Sequence, residues 1–239
     1  MTVNSRTVLI TGGTSGIGAV TARMLIERGH RVAVTGRDPD KLQAFLAEAR
    51  HPEELLGILA DASDWHATQA AVARTVERFG ALDAAVANAG FTTRDHFTAD
   101  AVPIADGDPA LWPPMVLTNV LGPALLARAA LPHLKETGGR LVFIGSVAGV
   151  KNAPGNLYSA TKWAVTALAE NTRLHATTLG VGVTLIAPGM TDTPFWHDST
   201  TPPFALPIEP VARAICFALD QPAGVDLNTL TIRPIGQPI

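Results

Sequence analysis

Tyr158 and Lys162 stand four residues apart in Tyr158-Ser159-Ala160-Thr161-Lys162. In a helix that spacing puts both side chains on one face, one turn apart. A free phenol has a pKa of about 10 and transfers protons poorly at neutral pH. A lysine ammonium beside it favours the phenolate and draws that pKa toward the working range. The pair occurs by chance in many helices, so its meaning depends on its company. Ser146 lies twelve residues upstream of Tyr158, after the apolar run Leu141-Val142-Phe143-Ile144. A glycine-rich turn, Thr11-Gly12-Gly13-Thr14-Ser15-Gly16-Ile17-Gly18, follows the first apolar run. Glycines there permit a tight turn, close approach of backbone to a pyrophosphate, and close packing of the next helix. The helix N-terminus adds free N–H donors and a partial positive charge. A phenol–ammonium pair, a hydroxyl and a phosphate turn together point to oxidoreduction with a nicotinamide cofactor.

The elements that must position these groups follow from periodicity. Short apolar runs predict strands over 7–11, 31–36, 55–60, 84–88, 140–145, 183–187 and 229–233. Helical patterns cover 16–28, 39–50, 65–79, 109–135, 156–178 and 209–219, with Pro39 at a first helical position and Gly29 at a helix stop. Seven strands alternating with six helices imply an α/β fold. Its sheet is mostly parallel, doubly wound, and covered by helices on both faces. Two stretches break the rhythm, 91–108 and 190–207, and the second holds Phe195, Trp196 and Phe204. Both follow strands at their C-terminal ends, where ligands bind in open α/β sheets.

Length and composition agree. The 239 residues fit a single domain, 1–239, with a substrate loop over about 190–207. Hydrophobic residues make up 47% and charged residues 16%, which suits a buried parallel sheet and an oligomer with apolar interfaces. A net charge of −3 without a basic cluster argues against nucleic acid and anionic membrane surfaces as partners. Cys216 is the single cysteine, so no intrachain disulfide forms, and its apolar flanks read as a core thiol. The seven histidines have no metal-ligand spacing backed by cysteine or carboxylate, so no metal is expected. The N-terminus carries no apolar signal region, and 115–134 contains Asn119, Pro123, Arg128 and Pro132, which reads as a buried helix. The expected location is cytoplasmic.

Thr11-Gly12-x-x-x-Gly16-Ile17-Gly18, Asn88-Ala89-Gly90, Ser146 and Tyr158-x-x-x-Lys162, in this order across most of the chain, resemble the short-chain dehydrogenase/reductase family. The resemblance implies a Rossmann-type domain and hydride exchange between a dinucleotide and a small-molecule carbonyl or alcohol. It gives Tyr158 the role of general acid or base and Ser146 a hydrogen bond to the substrate oxygen. Lys162 would hold the nicotinamide ribose hydroxyls and lower the Tyr158 pKa. Asn119 is the family's fourth catalytic position. Pro123, four residues on, has no N–H, so in an α-helix the Asn119 carbonyl would lose its donor and could bind a water; a simple kink is the alternative.

The cofactor contacts implied by resemblance are Gly12, Thr14, Ser15, Gly16, Ile17, Gly18, Asp61, Asn88, Ala89, Gly90, Tyr158, Lys162, Pro188, Gly189 and Thr193. Asp61 also reads as a helix-start carboxylate. The second strand ends in Gly36-Arg37, where NAD-preferring members carry an acid. An Arg37 guanidinium can pair with a 2′-phosphate, so NADP(H) is favoured; a solvated helix start is the other reading of Arg37. Thr14 and Ser15 stand where many NADP-preferring relatives have a base, and Asp38 could compete for Arg37, so NAD(H) stays possible. Phe195, Trp196 and Phe204 favour an apolar or aromatic carbonyl compound, while Arg94 could meet a carboxylate. A dinucleotide-binding regulator without turnover is the reading from another class. The long helices 115–134 and 156–179 are apolar on more than one side, through Leu121, Leu125, Leu126, Trp163, Val165 and Leu174 among others. They predict a homo-oligomer, in keeping with the family a tetramer.

Overall fold

The computed structural model describes residues 5–92, 104–151, 157–196, 201 and 203–237. Seven parallel strands form one sheet in the order β3-β2-β1-β4-β5-β6-β7. They are β1 (Thr7–Ile10), β2 (Arg31–Gly36), β3 (Leu55–Leu59), β4 (Ala84–Ala87), β5 (Arg140–Ile144), β6 (Gly182–Pro188) and β7 (Thr229–Ile232). Helices α1 (Gly16–Glu27), α2 (Pro39–Ala47), α3 (Trp65–Phe79), α4 (Trp112–Val116), α5 (Gly122–Thr137), α6 (Tyr158–Ala176) and α7 (Ile208–Leu219) connect them. This is the doubly wound, Rossmann-type α/β architecture.

Burial explains the strand sequences. The central strands β1, β4 and β5 are buried at every position, and beyond their opening Thr7 and Arg140, β1 and β5 read like β4 as apolar runs because both faces are covered. The edge strand β7, Thr229-Leu230-Thr231-Ile232, alternates exposed and half-buried positions instead. Alternate residues of one strand feed two separate cores. Leu9 joins Ala85, Leu141, Phe143 and Leu185 beneath α3, α5 and α6, which contribute Val72, Leu126, Ala130 and Val165. Val8 and Ile10 join Val34, Val86, Val142 and Ile186 beneath α1, α2 and α7, which contribute Leu25, Phe45, Ile215 and Leu219. Each valine, leucine, isoleucine or phenylalanine among them contributes roughly 1.5–3 kcal/mol of transfer free energy. Asp38 and Asp64 cap α2 and α3, accepting hydrogen bonds from Lys41 N–H at 3.1 Å and Ala67 N–H at 2.6 Å.

The helix expected over 109–135 is divided. A 3₁₀ turn at Pro109–Leu111 and α4 lead into a π turn over Leu117–Leu121, and α5 follows. The physical cause is Pro123, which has no N–H to donate to the Asn119 carbonyl, so the ladder widens and Gly122 N–H donates to the Leu117 carbonyl. The run Pro109–Thr137 is long and apolar enough, by length and composition, to cross a membrane. Here Leu126, Ala130 and Leu134 are buried in the core under the sheet.

Candidate active site

Because every strand pairing is parallel, the segments that follow β1 to β6 emerge along one edge of the sheet. Strand order reverses between β1 and β4, which opens a crevice at their ends. Asn88 ties the two sides of it together. Its Nδ2 donates to the carbonyls of Thr11 and Gly12, at 2.9 Å each. The Thr11 hydroxyl accepts from Asn88 N–H at 3.1 Å and Ala89 N–H at 3.2 Å. The side chain of Asn88 is thus committed to shaping the turn. A Cβ on Gly18 would lie 2.5 Å from the Gly12 oxygen, and one on Gly12, at φ +63°, would lie 2.9 Å from Ala89 Cα. Ser15 precedes α1 without a side-chain capping bond, and no acid occupies the first turn. These are the properties a pyrophosphate cradle needs, so the residues present fit a dinucleotide.

Thr14 packs against the end of β2, where a Cβ on Gly36 would lie 2.7 Å from its methyl group. The missing acid at this position therefore has a steric reason, since any side chain at 36 would meet Thr14. Asp38 spends its carboxylate on capping α2 and lies 3.9 Å from Lys41, so it does not compete for Arg37. Arg37 instead places its guanidinium 5.5 Å from the centroid of the Phe91 ring. Asp61 accepts hydrogen bonds from Ser63 N–H and Ser63 Oγ, which hold its carboxyl below the ordinary range, with Arg37 assisting.

Tyr158 and Lys162 lie in the first turns of α6 and are both buried. Ser146 follows β5 and opens a 3₁₀ turn, Val147–Gly149. Three features lock that turn to α6. Ser159 Oγ donates to the Ala148 carbonyl at 2.7 Å, and Thr166 Oγ1 donates to the Gly149 carbonyl at 2.9 Å. Gly149 also lies so close to the Lys162 carbonyl that a Cβ would collide with it. The Ser146 and Tyr158 hydroxyls consequently share a hydrogen bond.

The electrostatics depart from expectation at Tyr158. Burial raises its pKa, and the Ser146 hydrogen bond opposes that rise only in part. Lys162 is pushed down to about 8 by burial, its Nζ donating to the Ile144 carbonyl at 3.0 Å and lying 5.7 Å from the Tyr158 ring centroid. Desolvation dominates at Tyr158, and the phenol keeps its proton at neutral pH.

Asn119, 1% exposed, turns its carboxamide to the segment after β4. Its Oδ1 accepts from Phe91 N–H at 2.9 Å and its Nδ2 donates to the Phe91 carbonyl at 2.8 Å. Nδ2 also donates to Thr161 Oγ1 at 3.1 Å, and Thr161 Oγ1 donates to the Tyr158 carbonyl at 2.7 Å. A Cβ on Gly90 would lie 3.2 Å from Asn119 Oδ1 and 3.7 Å from Lys162 Nζ, so Gly90 marks where the crevice meets the catalytic candidates.

Pro188 ends β6, and Gly189 donates its N–H to Ile232 at 2.7 Å. Thr193 lies over the glycine turn, since a Cβ on Gly16 would be 3.7 Å from Thr193 Cβ. Phe195 reaches the Tyr158 ring, with centroids 5.7 Å apart. Trp196 is buried and donates its Nε1 to the Thr191 carbonyl at 2.7 Å, which makes it an anchor of the loop more than part of its surface. Phe204 is exposed, and Arg94 lies outside the described residues. Among the described residues no cluster of histidine, cysteine and carboxylate could hold a metal.

Sequence reasoning missed Gly149, Ser159, Thr166, Phe91 and Gln237. Gln237 reaches back from the C-terminal tail, where its Oε1 accepts from Met190 N–H at 3.1 Å and lies against Gly189. Only Ser146-x-x-Gly149 carried a local signal, a hydroxyl cap followed by a small residue; the others act across long sequence separations.

Residues 6–203 match the family described as short chain dehydrogenase. An uncharacterised oxidoreductase of Staphylococcus haemolyticus is 34% identical over 239 residues, spanning 98% of this chain and 99% of that protein. An alcohol dehydrogenase from the archaeon Thermococcus sibiricus, solved in complex with 5-hydroxy-NADP, is 27% identical with a TM-score of 0.88 over 99% of each chain. ElxO with NADP bound is 25% identical with a TM-score of 0.84, covering 96% of this chain and 97% of its own.

Proposed function

The chain belongs to the short chain dehydrogenase family, and we propose that it is an NADP(H)-dependent oxidoreductase interconverting a carbonyl compound and a secondary alcohol. The observation that carries this reading is the Ser146–Tyr158 hydrogen bond, with Tyr158 and Lys162 buried and the lysine Nζ against Gly90. Gly12, Gly16, Gly18 and the N–H groups opening α1 would hold the pyrophosphate. Thr193 and the Pro188-Gly189 turn would hold the nicotinamide end. Hydride donation or acceptance is the chemistry the cofactor supplies there when bound.

The chain's own groups do the rest. Ser146 donates to the substrate oxygen and fixes the carbonyl beside Tyr158. In reduction the carbonyl carbon gains hydride while the oxygen takes the proton of the Tyr158 hydroxyl; oxidation reverses both transfers. A phenol that burial keeps protonated suits the reduction direction. Lys162, charged below about pH 8, stabilises the phenolate left after transfer. Phe195 against Tyr158 gives the substrate an apolar wall, which favours an aromatic or apolar carbonyl compound.

Arg37 at the end of β2, with no room for an acid at Gly36, supports NADP(H) over NAD(H). The dinucleotides bound to the Thermococcus sibiricus enzyme and to ElxO support the same choice. Exposed Leu117, Leu121, Trp163 and Leu174 on the π turn and α6 support a homo-oligomer, as a tetramer. Light scattering that finds active monomer at micromolar concentration rules the oligomer out.

Tyr158→Phe keeps the ring and removes the transferable proton. Turnover on a carbonyl panel should fall ~10²-fold or more, with folding and dinucleotide binding retained. Undiminished turnover would overturn the assignment. Dinucleotide binding without turnover on any carbonyl or alcohol would point to a regulator.

A further inference from the structure

Phe91 stands between two parts of the site that are otherwise far apart in function. Its backbone is gripped on both polar atoms by the Asn119 carboxamide, at 2.9 Å and 2.8 Å. Asn119 is in turn tied through Thr161 to the Tyr158 carbonyl. The Phe91 ring lies under the Arg37 guanidinium at 5.5 Å, within the range of a cation–π contact. Among the described residues Arg37 has no hydrogen bond or ion pair, and Asp61 is the carboxylate that feels its charge. An exposed arginine samples many rotamers, so a ring that holds it restricts where its charge is presented.

We propose that Phe91 is a positioning residue for cofactor choice. It holds Arg37 at the end of β2, and Asn119 holds Phe91 in register with the catalytic helix. The inference rests on the proposed NADP(H) reading. A ring takes up one face of the guanidinium and leaves the in-plane N–H donors free for a phosphate. The 2′-phosphate end of the site is therefore braced, through one residue, by the asparagine of the catalytic end. Only NADP(H) carries the phosphate that Arg37 would meet, so the effect of the Phe91 ring belongs to NADP(H) alone.

The test is fluorescence titration of NADPH and NADH against the full-length protein, which needs no substrate. Phe91→Leu keeps apolar bulk and removes the π face. It should raise the NADPH Kd ~two- to fivefold, the size of an exposed cation–π contact, and leave the NADH Kd unchanged within error. Phe91→Tyr should keep the native NADPH/NADH ratio. In an Arg37→Ala background Phe91→Leu should leave the ratio unaltered, because the contact is already gone. If Phe91→Leu does not fold, Phe91→Met carries the same expectation. Equal weakening of both dinucleotides, or of neither, overturns the inference while Arg37→Ala still lowers NADPH affinity selectively. A ratio unmoved by Arg37→Ala overturns the NADP(H) reading itself.

Discussion

The glycine turn after β1 and the loop after β6 meet over the same crevice, with Thr193 close to Gly16. The turn is held by backbone against backbone. Gly18 sits against the Gly12 carbonyl, Gly12 sits against Ala89, and Asn88 clamps two consecutive carbonyls. The loop is held by borrowed groups. Leu206 N–H donates to the Met190 carbonyl at 2.9 Å and Asp192 N–H to the Leu206 carbonyl at 2.7 Å. Trp196 Nε1 and the distant Gln237 complete its base. A cofactor common to a whole family suits a cradle made of main chain. A substrate particular to one member suits a loop whose supports can change one side chain at a time.

The sharpest break in that comparison is Gly18→Ala. The added methyl would lie 2.5 Å from the Gly12 oxygen and 2.6 Å from Asn88 Nδ2, so the turn and its clamp must both move. Overpacking of this kind costs roughly 1–3 kcal/mol. Dinucleotide affinity should fall about tenfold or more, read by fluorescence titration, with a matching loss of stability in urea. Gly16→Ala is the control. Its Cβ would meet Thr193 only at an ordinary 3.7 Å, so the cost is the left-handed φ of +53° alone. If Gly18→Ala binds and unfolds like the native protein, main-chain packing does not define the cradle.

The same contrast explains what could be read from the residues alone. The strands, the glycine turn and the Ser146, Tyr158, Lys162 set are legible because sterics and spacing restrict which residues can serve. The π turn was half legible, since Pro123 announces a lost hydrogen bond without saying how the helix absorbs it. Trp196 looked like a substrate contact because an aromatic in a loop reads the same whether its ring faces out or in. Phe91 and Gln237 were invisible for another reason. Each acts through contacts with residues far along the chain, Arg37, Asn119 and Met190, and no local pattern encodes such a meeting.

Between the two regions lies α6, and its Lys162 makes a pH prediction. The folded pKa is about 8, against about 10.4 for a free lysine. Between those values the unfolded chain binds the additional proton, so stability rises with pH across the window; below about pH 8 the penalty for burying the charge is constant. Lys162→Met lacks that group. The difference in unfolding free energy between variant and native protein, measured without cofactor, should shrink by about 2–3 kcal/mol from pH 8 to pH 10. A difference that stays flat over this range means Lys162 is not buried as a cation.

The smallest expected effect tests the loop. Gln237→Ala removes the acceptor for Met190 N–H, and that half-buried donor can turn to water, so the loss is near the ~1 kcal/mol of one net hydrogen bond. For a chain of 239 residues this corresponds to a Tm lower by about 2–4 °C. The functional signature is the informative part. Gln237 lies against Gly189, at the nicotinamide end and away from the glycine turn, so the Kd for NADPH should rise less than the KM does. The KM for the carbonyl substrate should rise about two- to fivefold as Gly189 and Met190 lose their register beneath the loop, with kcat changed less. A parallel fall in cofactor affinity would show that the tail supports the cradle as well, and the division between the two regions would be lost. An unchanged KM would show that Leu206 and Trp196 hold the loop without help from the tail.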